Sequence, residues 1–93
     1  MKANGASFSE REIRDVWEKA RYQSGFGTTE KRADVLGSII QFDSYGDTSS
    51  LCGWEIDHII PVQKGGTDLP GNLQPLHWKN NRRKGNAYPW ICS

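Results

Sequence analysis

The first regular pattern along the chain is a stripe in which Ile13, Val16, Trp17 and Ala20 recur at the spacing that puts side chains on one face of a helix. Ser9 stands ahead of the stripe with Glu12 three residues on, so that a hydroxyl and a carboxylate can each take a backbone N–H left without a partner in the first turn. Phe8 is placed to close on Ile13, and Glu10/Arg14, Arg14/Glu18 and Asp15/Lys19 are exposed neighbours on the polar face. The pattern predicts a helix over about residues 8–24 that ends near Gly25, where a left-handed cap suits glycine. Trp17 is read as a core anchor. Residues 1–7 are small and polar and are expected to fray.

Gly25 to Leu36 carries no clear period and reads as loop, with Thr28 or Thr29 able to cap a helical turn through Val35. Ser38 to Asp43 has the β-branched and aromatic content of a strand between Gly37 and the Ser44-Tyr45-Gly46-Asp47 turn. A second strand is expected over Gly53 to Ile60, closed by Pro61, which has no amide hydrogen to extend a ladder. The Gly65-Gly66 and Pro70-Gly71 pairs enclose a loop that returns the chain into Leu73-Gln74-Pro75-Leu76. His77 to Lys84 then contains neither glycine nor proline and is expected to form a short helix that stops at Gly85. The order strand, loop, strand, helix predicts a small α+β fold in a single domain over residues 1–93.

Composition narrows this picture. A chain of 93 residues with four Trp, three Tyr and three Phe builds a modest core from large rings. No stretch is apolar for long enough to span a membrane and no secretion signal is visible, which points to a soluble, cytoplasmic protein with no membrane partner. Cys52 and Cys92 are expected as free thiols. A C-x-x-C pair is lacking, so no structural zinc is expected. Net charge is only +1, but residues 1–57 carry 7 Lys and Arg against 10 Asp and Glu, and residues 58–93 carry 5 against 1. The carboxyl-terminal part is therefore the one suited to face a polyanion.

The candidate chemistry lies in that part. Asp57 and His58 place a hard oxygen donor beside a group that titrates near neutrality. Adjacent residues of a regular strand point to opposite faces, so their joint use is expected to require a bend near Pro61. Trp54-Glu55-Ile56-Asp57-His58-Ile59-Ile60-Pro61, Gly65-Gly66, Asn72-Leu73-Gln74 and Asn80-Asn81-Arg82-Arg83-Lys84 together resemble the HNH endonuclease family and its ββα-metal motif, over residues 53–86. Gly37-Ser38-Ile39-Ile40 and Tyr45-Gly46 look like the segment that precedes the motif in small bacterial and phage members.

The resemblance implies an H-N-N variant. His58 would be the general base on the attacking water, and Asn72 the second signature residue of the catalytic set, holding the loop and orienting His58. Asp57 and Asn81 would bind one divalent cation, and the products would carry 5′-phosphate and 3′-hydroxyl ends. One carboxylate and one amide oxygen suit Mg²⁺ or Mn²⁺ and predict weak metal binding without substrate. Lys79, Arg82, Arg83 and Lys84 are expected to contact the phosphates of double-stranded DNA, which positions a duplex without reading it. One such site in a monomer or weak dimer would nick, and any phage or restriction-type protein partner is left open. His77 and Asn80 stand where relatives carry a later cysteine pair, so aromatic packing by Trp54, Trp78 and Trp90, with the amino-terminal helix, is expected to replace that staple, with His77 a structural histidine. The other readings are a DNA-binding accessory module with little or no turnover and a basic protein that meets an acidic partner.

Overall fold

A computed structural model describes residues 1–22 and 30–89. Helix α1 spans Glu10–Trp17 and begins as expected: the Ser9 side chain accepts from the Glu12 amide at 3.1 Å, and the Glu12 carboxylate accepts from the Ser9 amide at 2.8 Å. It ends sooner than the stripe predicts. After Glu18 the hydrogen bonds tighten by one residue, with Lys19 N–H on Val16 O and Ala20 N–H on Trp17 O. The tighter turn still buries Ala20 beside Val16 and Trp17 and frees Arg21–Tyr22 to pair as strand β1. The expected continuation toward Gly25 lies partly outside the described residues.

Strand β1 pairs antiparallel with β2, Lys31–Ala33, and β2 with β3, Ile39–Gln41. Of the stretch read as loop with a possible helical turn through Val35, residues 25–29 lie outside the described residues, and Lys31–Ala33 is a strand, because register with Ile39–Gln41 outweighs a weak local signal. The expected strand over Ser38 to Asp43 is shorter and passes into a 3₁₀ turn at Phe42–Ser44. Strand β4, Trp54–His58, pairs with β5, Leu73–His77, and β5 runs directly into helix α2, Trp78–Lys84. No described helix is long and apolar enough to cross a membrane.

One apolar cluster joins α1 to both sheets. Trp17 and Trp54 are fully buried with ring centroids 5.2 Å apart, and Ile40, Ile56 and Leu73 complete the packing between them. The Trp54 indole donates to Phe42 O at 3.1 Å. Gly53 is required by close approach, since a Cβ there would lie 1.8 Å from Asp47 O.

A second connection is polar and centres on Asp34, which is 1 % exposed. Its Oδ1 accepts the Leu36 and Ser38 amides, and its Oδ2 accepts the His77 amide and Asn80 Nδ2, each of these last two at 2.9 Å. Asn80 Nδ2 also donates to Ser38 Oγ. A hydrogen-bonded carboxylate therefore ties the β2–β3 turn to the start of α2 at the positions where the resemblance implied a missing cysteine pair. Aromatic packing does not carry that link alone. Trp78 donates to Ser50 O, while Trp90 and Cys92 lie outside the described residues.

Residues 1–7, expected to fray, are tied down. Lys2 N–H donates to Ala6 O at 2.8 Å and Gly5 N–H to Lys2 O, a turn that puts Gly5 at φ 86°. The Lys2 ammonium lies 3.0 Å from the Glu12 carboxylate.

Candidate active site

The end of the β4–β5 pair, residues 2–3, the turn at 61–63 and helix α2 enclose a cavity of about 480 Å³, lined among others by Asp57, His58, Asn81 and Arg82. The ladder pairs Asp57 with Gln74 and His58 with Leu73, so the backbone does not bend between them. The expected bend is not needed. The two side chains take different partners, as neighbours in a strand do, and the cavity borders both.

Asp57 is 5 % exposed and fully engaged. Gln74 Nε2 donates to Oδ2 at 2.9 Å, and Lys84 Nζ lies 3.3 Å from Oδ1. Lys84 is itself only 4 % exposed and also donates to His58 O at 3.1 Å. The side chain expected to meet phosphate is therefore turned inward, because an unpaired carboxylate in that position would be costly and the ammonium answers it.

Asn81 sits on α2 facing β4. Its Nδ2 donates to Glu55 Oε1 at 2.8 Å, which fixes the amide plane and leaves Oδ1 with no protein donor among the described residues. Glu55 also receives the Arg82 guanidinium as a fork, at 2.7 and 3.0 Å. Of the other expected phosphate contacts, Lys79 is exposed with its ammonium 5.6 Å from the Trp78 ring centre, and Arg83 is exposed with no ion pair among the described residues. His77 is buried, and its ring joins Leu51 O to the Lys79 amide at the head of α2.

His58 stands between Phe8, ring centroids 6.2 Å apart, and Asp68, whose Oδ1 lies 2.8 Å from Nε2. That hydrogen bond, first among the causes, holds the Asp68 carboxyl below its usual value. The Asn72 side chain makes no hydrogen bond to the His58 ring. It braces the connecting loop: Oδ1 accepts the Ile60 amide at 2.8 Å, and Nδ2 donates to Ile60 O and Thr67 O. The two glycines of the loop serve different ends. Gly65 takes φ 91°, whereas a Cβ on Gly66 would come 1.6 Å from Ile60 O.

Three partners of the site, Glu55, Gln74 and Asp68, carry no role that the sequence pattern assigns. Glu55 lies two residues before Asp57 and so on the same face of the strand, a parity that could have flagged it. Gln74 faces Asp57 only through the register, and Asp68 reaches His58 only through the loop path. As a metal site, Asp57 and Asn81 offer one carboxylate and one free amide oxygen. Among the described residues no group of three or more His, Cys, Asp or Glu could hold an ion. The donor set fits a hard cation that takes its remaining ligands from phosphate and water. In comparisons with known proteins, residues 46–87 match the family model described as HNH endonuclease. No curated protein and no solved structure matches.

Proposed function

We propose that the chain, whose residues 46–87 match the HNH endonuclease family model, is a metal-dependent endonuclease that hydrolyses phosphodiester bonds of double-stranded DNA, nicking one strand per encounter. The observation that carries this reading is that Asp57, His58 and Asn81, contributed by β4 and α2, line one open cavity together with Arg82.

His58 takes a proton from the attacking water. The new bond forms between that water's oxygen and phosphorus, the P–O3′ bond breaks, and the leaving oxygen is protonated from solvent. Asp57 and Asn81 would hold a Mg²⁺ or Mn²⁺ ion, which supplies positive charge to the phosphate and the leaving oxygen. Glu55 keeps the Asn81 amide turned so that its oxygen is available. Asn72 holds the shape of the loop behind His58. Arg83 and Lys79 meet backbone phosphates from the outer side of α2. Lys84 acts from inside, on Asp57, and Lys2, its ammonium on Glu12, lines the cavity.

The test is supercoiled plasmid with Mg²⁺ or Mn²⁺, comparing the wild type with His58→Ala and Asp57→Ala. Nicking that needs the metal and both side chains is the expected result. Cleavage by His58→Ala at the wild-type rate, or cleavage undiminished by a chelator, overturns the mechanism. The Lys84 ammonium already facing Asp57 favours a second reading, a DNA-binding accessory module with little turnover, and metal-dependent DNA binding without nicking would select it.

A further inference from the structure

We propose that Asp68 is the positioning carboxylate of His58, and that the backbone amide of Ala3 holds Asp68 in place, so that residues 2–6 are part of the site. The geometry is specific at each link. Asp68 Oδ1 lies 2.8 Å from His58 Nε2, and the Ala3 amide donates to both carboxylate oxygens, at 3.0 and 3.1 Å. A carboxylate only accepts, so Nε2 carries the hydrogen and the neutral ring keeps its lone pair on Nδ1. One nitrogen is thereby reserved for orientation and the other for the reacting water.

Both ends of this clamp are built. On one side, Thr67 O is held by Asn72 Nδ2 at 2.9 Å, which sets the residue preceding Asp68. On the other, the Lys2–Ala6 turn presents the Ala3 amide, and the Lys2 ammonium on Glu12 moors that turn to α1. Asp68 is also the sole acidic residue after Asp57, in a stretch otherwise rich in cations. A carboxylate where DNA is to be bound opposes the field that attracts the substrate, which points to a local task for it. The His58 hydrogen bond, and after it the Ala3 amide, hold the Asp68 carboxyl below its usual value.

The catalytic consequence rests on the nuclease reading, but the clamp itself can be tested without it. In the full chain labelled with ¹⁵N-histidine, His58 is expected as the Nε2–H tautomer in the wild type and as a mixture in Asp68→Ala. Plasmid nicking by Asp68→Ala should fall about tenfold or more in kcat, with KM for DNA and the half-saturating metal concentration unchanged. Ala3→Pro removes the amide hydrogen and leaves the Asp68 side chain in place. It should shift the tautomer and kcat in the same direction, by less. An unchanged tautomer, or wild-type kcat in Asp68→Ala, overturns the proposal. So does a loss in which KM rises with the fall in kcat and thermal stability collapses, since that marks a merely structural residue. A wild type that cuts no DNA removes the nuclease reading, while the tautomer measurement still decides the clamp.

Discussion

Glu55 accepts the Asn81 amide and both arms of the Arg82 fork with one carboxylate, so the orientation of a candidate metal ligand depends on a residue that touches no metal itself. Glu55→Ala frees the amide to rotate. It should raise the Mg²⁺ concentration for half-maximal nicking about tenfold, read from metal titrations of plasmid cleavage. Lys84 raises a different question, because its buried ammonium already answers the charge that Asp57 would give to a cation. Lys84→Met should cost about 3 kcal/mol of stability in thermal melts, by stranding a buried carboxylate. Added Mg²⁺ should raise the melting temperature of this variant more than that of the wild type, because the ion then has Asp57 to itself. An equal rise in both proteins would refute that account. Of the candidate side chains, His58, Asn72 and Asn81 were legible from spacing and family resemblance. Glu55, Gln74 and Asp68 were not, because each acts through a partner 10 to 26 residues away in the chain.

At the scale of elements, local chemistry was readable wherever neighbours in sequence were also neighbours in space. The Ser9–Glu12 box sets the start of α1 on contacts three residues apart. The Ser9 amide, and then Lys2, hold the Glu12 carboxyl below its usual value. A lowered carboxyl adds stability that is fully present above its ordinary value of 4.5 and is lost as pH falls through the lower folded value. Glu12→Gln, which does not titrate, should therefore show a flatter fall in melting temperature from about pH 5 to about pH 2 than the wild type. A parallel fall would remove Glu12 from the acid response. The end of α1 was not legible in the same way. The apolar stripe continues to Ala20, but the pairing of Arg21 with Ala33 and of Tyr22 with Arg32 takes the chain out of the helix. A two-residue strand carries no periodic signal of its own.

Over the whole molecule, α1 meets the β4–β5 pair through the Trp17–Trp54 contact, and Asp34 ties the β2–β3 turn to that pair, spanning 43 residues to reach the His77 amide. Asp34→Ala would strand four donors, two of them at the entry to α2. It should cost about 3 kcal/mol and lower the melting temperature by on the order of 10 °C. At low temperature, where the variant remains folded, nicking should persist, because Asp34 does not line the cavity. Loss of cutting in the folded variant would mean that this network also sets the placement of Asn81. The charge asymmetry has a meaning at this scale too. Arg83 and Lys79 lie outward on α2, Lys84 and Arg82 are bound to carboxylates of β4, and Lys2 from the acidic half lines the cavity with its ammonium on Glu12.

The sequence by itself determined the start of α1, the succession of strand, loop, strand and helix from Trp54 to Lys84, and the positions of Asp57, His58, Asn72 and Asn81. These follow from caps, turn residues and alternation, which act over a few residues. Only the tertiary structure decided that Lys84 faces inward, that Glu55 steers Asn81, that Asp68 holds His58, and that residues 2–6 close against the loop. Those outcomes depend on strand register and loop path, through contacts as distant as the 65 residues between Ala3 and Asp68. A buried charge takes whichever partner the fold brings within reach, and no local pattern encodes that choice.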